Sequence, residues 1–188
     1  MSQRGFRPAR KLSGGCKFRS RPYPVNANNP KDLFVGHAVV LSSGNIVEAT
    51  STGTDPILGV IKATYTGTKN RPRTHESSPV RVPASTAAFV DVIDDPDVVF
   101  SIEVDGTASA AMVGQVIDIA ASQSGNATTG QSGMYLQAST IAAPTSANFQ
   151  TLPFRIVAAP SDLERGVAAS GNRVDVIINS HQFKLVSK

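Results

Sequence analysis

At 188 residues with 40% hydrophobic side chains, the chain has material for one sizeable β domain or two small ones, which excludes a peptide or a wholly disordered tail. Only 17% of residues are charged and 6% aromatic, with no Trp, so small and β-compatible residues dominate and sheets are favoured over helices. The net charge of +4 is unevenly placed: residues 1–31 carry eight Lys and Arg and no acid, whereas the remainder holds ten basic against fourteen acidic side chains.

The opening residues MSQRGFRPARKLSGG lack the apolar core of a secretory signal, and no stretch approaches the roughly 18 apolar residues of a membrane span. Cys16, the single cysteine, has no partner for an internal disulfide. These features predict a protein folded in a reducing cytoplasm with no membrane partner. Asn126-Ala127-Thr128 matches a glycosylation sequon and reads as a chance match without a signal peptide.

Residues 1–31 show no period of 2 or 3.6 and contain Pro8, Gly14, Gly15, Pro22, Pro24 and Pro30. They read as an extended, irregular basic arm that reaches outward from a β domain over 32–188. Proline restricts its own φ and pushes the preceding residue toward extended conformations, so 19–24 should be extended.

From Asp32 onward, short apolar runs alternate with turn residues. Residues 37–41 and 46–49 form a strand pair around Ser42-Ser43-Gly44-Asn45, and 59–65 a third strand. Residues 66–78 have loop composition and a second basic cluster of Lys69, Arg71 and Arg73, and mark a possible division into two β subdomains. Further strands fall at 79–83, 87–93, 98–104, 116–119, 134–137, 154–158 and 173–178, with Asp94-Asp95-Pro96-Asp97 as a turn. Phe100, Ile102 and Val104 alternate with Ser101 and Glu103, as a half-buried strand requires. Val174, Val176 and Ile178 share one face, and that proline-free run must be paired inside a sheet or by another subunit. Ser109 is placed to cap a single helical turn. Residues 121–133 lack large apolar side chains and read as a surface loop. About ten short strands without intervening helices predict an all-β barrel or sandwich.

The inventory for catalysis is poor. His37, His75 and His181 are isolated and show no metal-ligand spacing. Asp91, Asp94, Asp95 and Asp97 admit a Ca²⁺-binding enzyme as a third reading, but the spacing is not that of an EF-hand and suits a β-turn. No phosphate-binding glycine loop, nucleophile elbow or HExxH motif occurs. The expectation is a non-enzymatic protein without metal or cofactor.

The arm is the strongest functional signal. Arg4, Arg7, Arg10, Lys11, Lys17, Arg19 and Arg21, interspersed with Phe6, Phe18 and Tyr23, are the residues expected to order against a partner, with Lys69, Arg71 and Arg73 as a secondary contact. Leu12 adds a further apolar anchor. The acidic body argues for an acidic protein partner over nucleic acid, the alternative being a nucleic-acid-binding module whose arm neutralises phosphates. Removing residues 1–31 is expected to leave the β body folded.

The stretches DVIDDPDVVFSIEVDG, GQVIDIA, TGQSGMYL, FRIVAAPSD and RVDVIINSHQF resemble those of small virion structural proteins of tailed bacteriophages, among them capsid decoration, or cement, proteins. HAVVLSSGNIVEAT is similar to the opening hairpin of small β-barrel cement proteins, and the likeness spans roughly residues 32–183. It implies a compact β domain on the outer surface of a capsid, assembled in the host cytoplasm. The domain would bind the major capsid protein, self-associate as trimers or dimers, and use the basic arm as its clamp.

Overall fold

The computed structural model describes residues 5–15, 17–51, 55–65, 79–120, 125–146, 151–159 and 173–184. Arg4, Cys16, Lys69, Arg71, Arg73 and His75 lie outside them.

Among the described residues the chain forms thirteen strands and one 3₁₀ turn, Ala110–Met112. The strands are β1 (Arg7–Lys11), β2 (Ser20–Val25), β3 (Leu33–Phe34), β4 (Ala38–Ser42), β5 (Asn45–Glu48), β6 (Gly59–Tyr65), β7 (Arg81–Val82), β8 (Ala88–Ile93), β9 (Val98–Glu103), β10 (Val116–Ile119), β11 (Leu136–Ala142), β12 (Phe154–Ala158) and β13 (Arg173–Ile178). They assemble into a six-stranded sheet, β1-β9-β13-β12-β10-β11, a five-stranded sheet, β2-β8-β6-β4-β5, and the small pair β3-β7. Every strand pairing is antiparallel. The protein is all-β, and its two large sheets are arranged as a sandwich without closing into a barrel.

Alternation explains how the layers stack. Phe100 and Ile102 of β9, Val174 and Val176 of β13, and Phe154 and Ile156 of β12 project into one core, which Ala38, Val40, Val60 and Ile93 of the five-stranded sheet complete. The other face of the five-stranded sheet buries Val39, Ile61, Val90 and Val92 together with Leu33 and Val82 of the small pair. This sheet is therefore covered on both faces, which is why β4 reads as the continuous run Ala38-Val39-Val40 instead of an alternating one. Strand β13 lies between β9 and β12, so its apolar run is paired on both edges within the chain.

The β4-β5 hairpin turns on Ser43 and Gly44, both at positive φ (48° and 79°), the geometry that matches the twist of the flanking strands. Ser109 precedes the 3₁₀ turn but its side chain makes no capping bond; the main-chain carbonyl of Ser109 accepts the Met112 N–H instead. The five-stranded sheet combines β8 with β6 and β4, so it draws strands from both sides of residues 66–78.

The N-terminal segment is extended, as expected, but it does not reach outward. Strand β1 pairs with β9 at one edge of the six-stranded sheet, and β2 pairs with β8 at an edge of the five-stranded sheet. Phe6 is 3% exposed and sits in the main core, its ring 4.7 Å from Phe154 and edge-on to Phe100 at 6.2 Å. Edge strands tolerate proline because only one side of the strand needs its N–H groups. Pro22 and Pro24, two residues apart, lack theirs on the same side, and the ladder to β8 runs unbroken from Ser20 to Val25.

Candidate docking surface

The cations of the N-terminal segment find much of their acidic partner on their own chain. Arg19 Nε lies 3.0 Å from Asp94 Oδ1, and its Nη2 donates to the Asp94 main-chain carbonyl. Arg21 approaches the other carboxylate oxygen at 3.6 Å, and the Tyr23 hydroxyl donates to that oxygen at 2.8 Å. Asp94 is fully buried. Burial, reinforced by the neighbouring Asp94 carboxylate, pushes the Tyr23 hydroxyl up to about 12. Lys11 pairs with Asp95 at 2.6 Å, Arg10 with Asp175 at 3.4 Å, and Lys31 with Glu48 at 2.8 Å. Burial acts to raise the Asp95 carboxyl, but the hydrogen bond from Lys11 and the main-chain bond from Asp97 outweigh it, leaving it below the usual range.

The acidic cluster is therefore divided among structural tasks. Asp94 holds β2, Asp95 holds β1 and closes its own turn, and Asp91 accepts from the Tyr65 hydroxyl at 3.1 Å. Among the described residues no group of three or more His, Cys, Asp or Glu is placed to hold a metal ion. His37 is 1% exposed, and neither ring nitrogen has a hydrogen-bond partner among the described residues. Burial, aided by Lys31, lowers its pKa to about 4. His181 is also buried, which lowers its pKa, and its Nδ1 accepts from the Phe183 main chain.

The apolar residues expected as partner anchors are mostly spent in the same way. Phe6 is core, Phe18 packs against the main core, and Tyr23 against the second. Leu12 remains 53% exposed. Arg7 and Lys17 are exposed and form no ion pair with a described residue.

Arg7 opens onto a surface cleft of about 420 Å³ that no sequence pattern announced. Lys62 lines it as well. Strand β6 shifts register between Ile61 and Ala63 against β8, which makes Lys62 the extra residue of a β-bulge and turns its side chain to solvent. Val35 and Val80, 40% and 50% exposed, add apolar surface. A third wall comes from Thr129, Gly130 and Gln131, at the end of the segment expected to be a plain surface loop. Residues 126–129 are indeed exposed, with Asn126 Oδ1 accepting the N–H groups of Thr128 and Thr129. Beyond them the loop tucks in: Gln131 bridges to Val35, and Ser132 donates its N–H to the Val35 carbonyl. Gly36, at φ 87°, lets the backbone of Phe6 come close, and its carbonyl accepts the Phe6 N–H. Among the described residues no carboxylate lines the cleft.

Comparison with protein-family models and with curated proteins returned no match.

Proposed function

We propose that this all-β sandwich is a non-catalytic structural component of a bacteriophage virion, one that docks on acidic surfaces of major capsid subunits as decoration proteins do. The observation that carries the reading is the division of the basic residues. Arg10, Lys11, Arg19, Arg21 and Lys31 brace the fold, while Arg7 and Lys62, beside exposed valines, pair with no described carboxylate. This combination suits a protein surface that offers carboxylates and small apolar side chains. The resemblance of residues 32–183 to small virion proteins supplies the shell as the setting. A rigid domain present in many copies on a symmetric shell converts weak single contacts into avidity. The same reading has copies self-associating on the outer face of the shell.

The reading assigns the described groups of the acidic turn a structural part, with the buried Asp94 carboxylate engaged by Arg19, Arg21 and Tyr23. Cosedimentation with capsid shells lacking the protein, at moderate salt and with excess DNA as competitor, tests the function. Saturable, DNA-resistant binding is expected. Binding that DNA displaces, or none at all, would favour a nucleic-acid-binding role or another virion component.

A further inference from the structure

We infer that the cleft lined by Arg7, Val35, Lys62, Val80 and Gln131 is a groove for an extended segment of the partner protein in which acidic residues flank a small apolar side chain. This deepens the docking reading above and rests on its acidic protein partner.

Charge complementarity is the first argument. Two cations line the cleft, neither engages a described carboxylate, and no acid lies among its described lining residues. Five of the seven described cations of the N-terminal segment, all but Arg7 and Lys17, are matched with acids, and of those two only Arg7 lines the cleft. The bulge at Lys62 is the second argument. An unbroken β6-β8 ladder would leave no extra residue there, and bulges serve to re-aim a side chain.

Shape and polarity decide between kinds of acidic ligand. About 420 Å³ falls within the roughly 300–1,000 Å³ typical of ligand clefts. Val35, Ala63, Pro79 and Val80 make one part of the lining apolar, where a valine- or leucine-sized side chain gains by burial. Single-stranded nucleic acid gains affinity by stacking its bases on aromatic faces, and the one aromatic among the described lining residues, Phe6, is buried in the core. The exposed side chains of Thr129 and Gln131 bring a hydroxyl and an amide suited to hydrogen bonds with an extended main chain.

The test is a titration of the ¹⁵N-labelled full chain, followed by amide chemical shifts, with a synthetic hexapeptide of alternating Glu and Val. The alternating Lys and Val peptide and a short oligothymidylate serve as controls. Shifts confined to Val35, Gly36, Lys62 to Thr64, Val80 and Gly130 to Gln131 are expected with the acidic peptide alone. The R7E/K62E double variant should weaken that binding at least tenfold while keeping the parent melting temperature, because both side chains are exposed and pair with no described carboxylate. Val80→Asp should weaken it as well. Absence of saturable shifts at millimolar peptide, unchanged affinity in R7E/K62E, or tighter binding of the oligothymidylate at the same amides would overturn the inference. If R7E/K62E still binds shells normally, the groove fails and the docking function stands. If the peptide binds as expected but the parent protein ignores shells, the groove stands and the virion setting fails.

Discussion

Arg19 Nε sits 3.0 Å from Oδ1 of Asp94, a residue 75 positions later in the chain whose side chain has no exposed surface. A carboxylate removed from water needs compensation, and here it comes from the N-terminal segment: two guanidinium groups and the Tyr23 hydroxyl converge on it. Removing the acid strands the bases far less than removing the bases strands the acid, since Arg19 and Arg21 are about half exposed. Arg19→Ala is therefore expected to cost about 1 kcal/mol while Arg21 and Tyr23 remain, and the double change Arg19→Ala with Arg21→Ala about 3 kcal/mol, more than the sum of the singles. Urea unfolding of Arg19→Ala, Arg21→Ala and the double variant measures this, and strict additivity would show that the two guanidinium groups do not act together on Asp94.

Phe6 anchors the segment from its other end. Phe6→Ala empties a position packed on Phe154 and Phe100 and should destabilise the protein by about 3–5 kcal/mol. Deleting residues 1–31 removes this side chain, both edge strands and the cations that cover Asp94 and Asp95. The truncated chain should lose its cooperative thermal transition, opposite to the expectation drawn from sequence. A truncated form melting within a few degrees of the full chain would restore the view of the arm as an appendage.

His37 makes stability fall in acid. Its folded pKa of about 4 lies below the ordinary 6.5, so at pH below 6.5 the unfolded chain takes up a proton that the folded chain refuses. The loss develops between pH 6.5 and about 4 and amounts to about 3 kcal/mol at most. Chemical denaturation at pH 7 and pH 4.5 should show this decline in the parent and a smaller one in His37→Gln, whatever that variant's stability at neutral pH.

Asp118 acts in the opposite direction. Burial in β10 raises its pKa to about 6, against the lowering effect of the Ile119 N–H it accepts. The folded state therefore holds a proton that the unfolded state releases near pH 4, and stability drops as pH rises from about 4 to 6. Asp118→Asn keeps an acceptor for Ile119 and should be more stable than the parent at pH 8 by about 1–3 kcal/mol, with no advantage at pH 3.5. A variant less stable at pH 8 would mean that the charged carboxylate has a partner worth more than its desolvation.

Where a strand is central and half-buried, its residues announce it. Gly59–Tyr65 was legible to the residue, and Phe100, Ile102 and Val104 face the core as their alternation predicts. Strands β1 and β2 were not legible as strands, because a sheet edge accepts the prolines and charges that argue against a strand elsewhere. A lone Phe6 in a basic run carries no period, so its place in the core could be seen only in three dimensions. The acidic turn was legible as a turn through Asp95 and Asp97, whereas the burial of Asp94 depends on β2 arriving beside it. The cleft joins five separated stretches of chain and a bulge, none with a local signature beyond a lysine inside an apolar strand.

The basic N-terminal segment is folded by its own chain before any partner arrives. Amide hydrogen exchange on the free full-length protein tests it directly at Arg21, Tyr23 and Val25, the residues whose N–H groups alternate with the prolines and face β8. Slow exchange of these three amides, comparable to Val90 and Val92 across the ladder, is the expected result. Exchange at unstructured-chain rates that slows only when shells are added would contradict the claim and return the segment to the role of a free arm ordered by its partner.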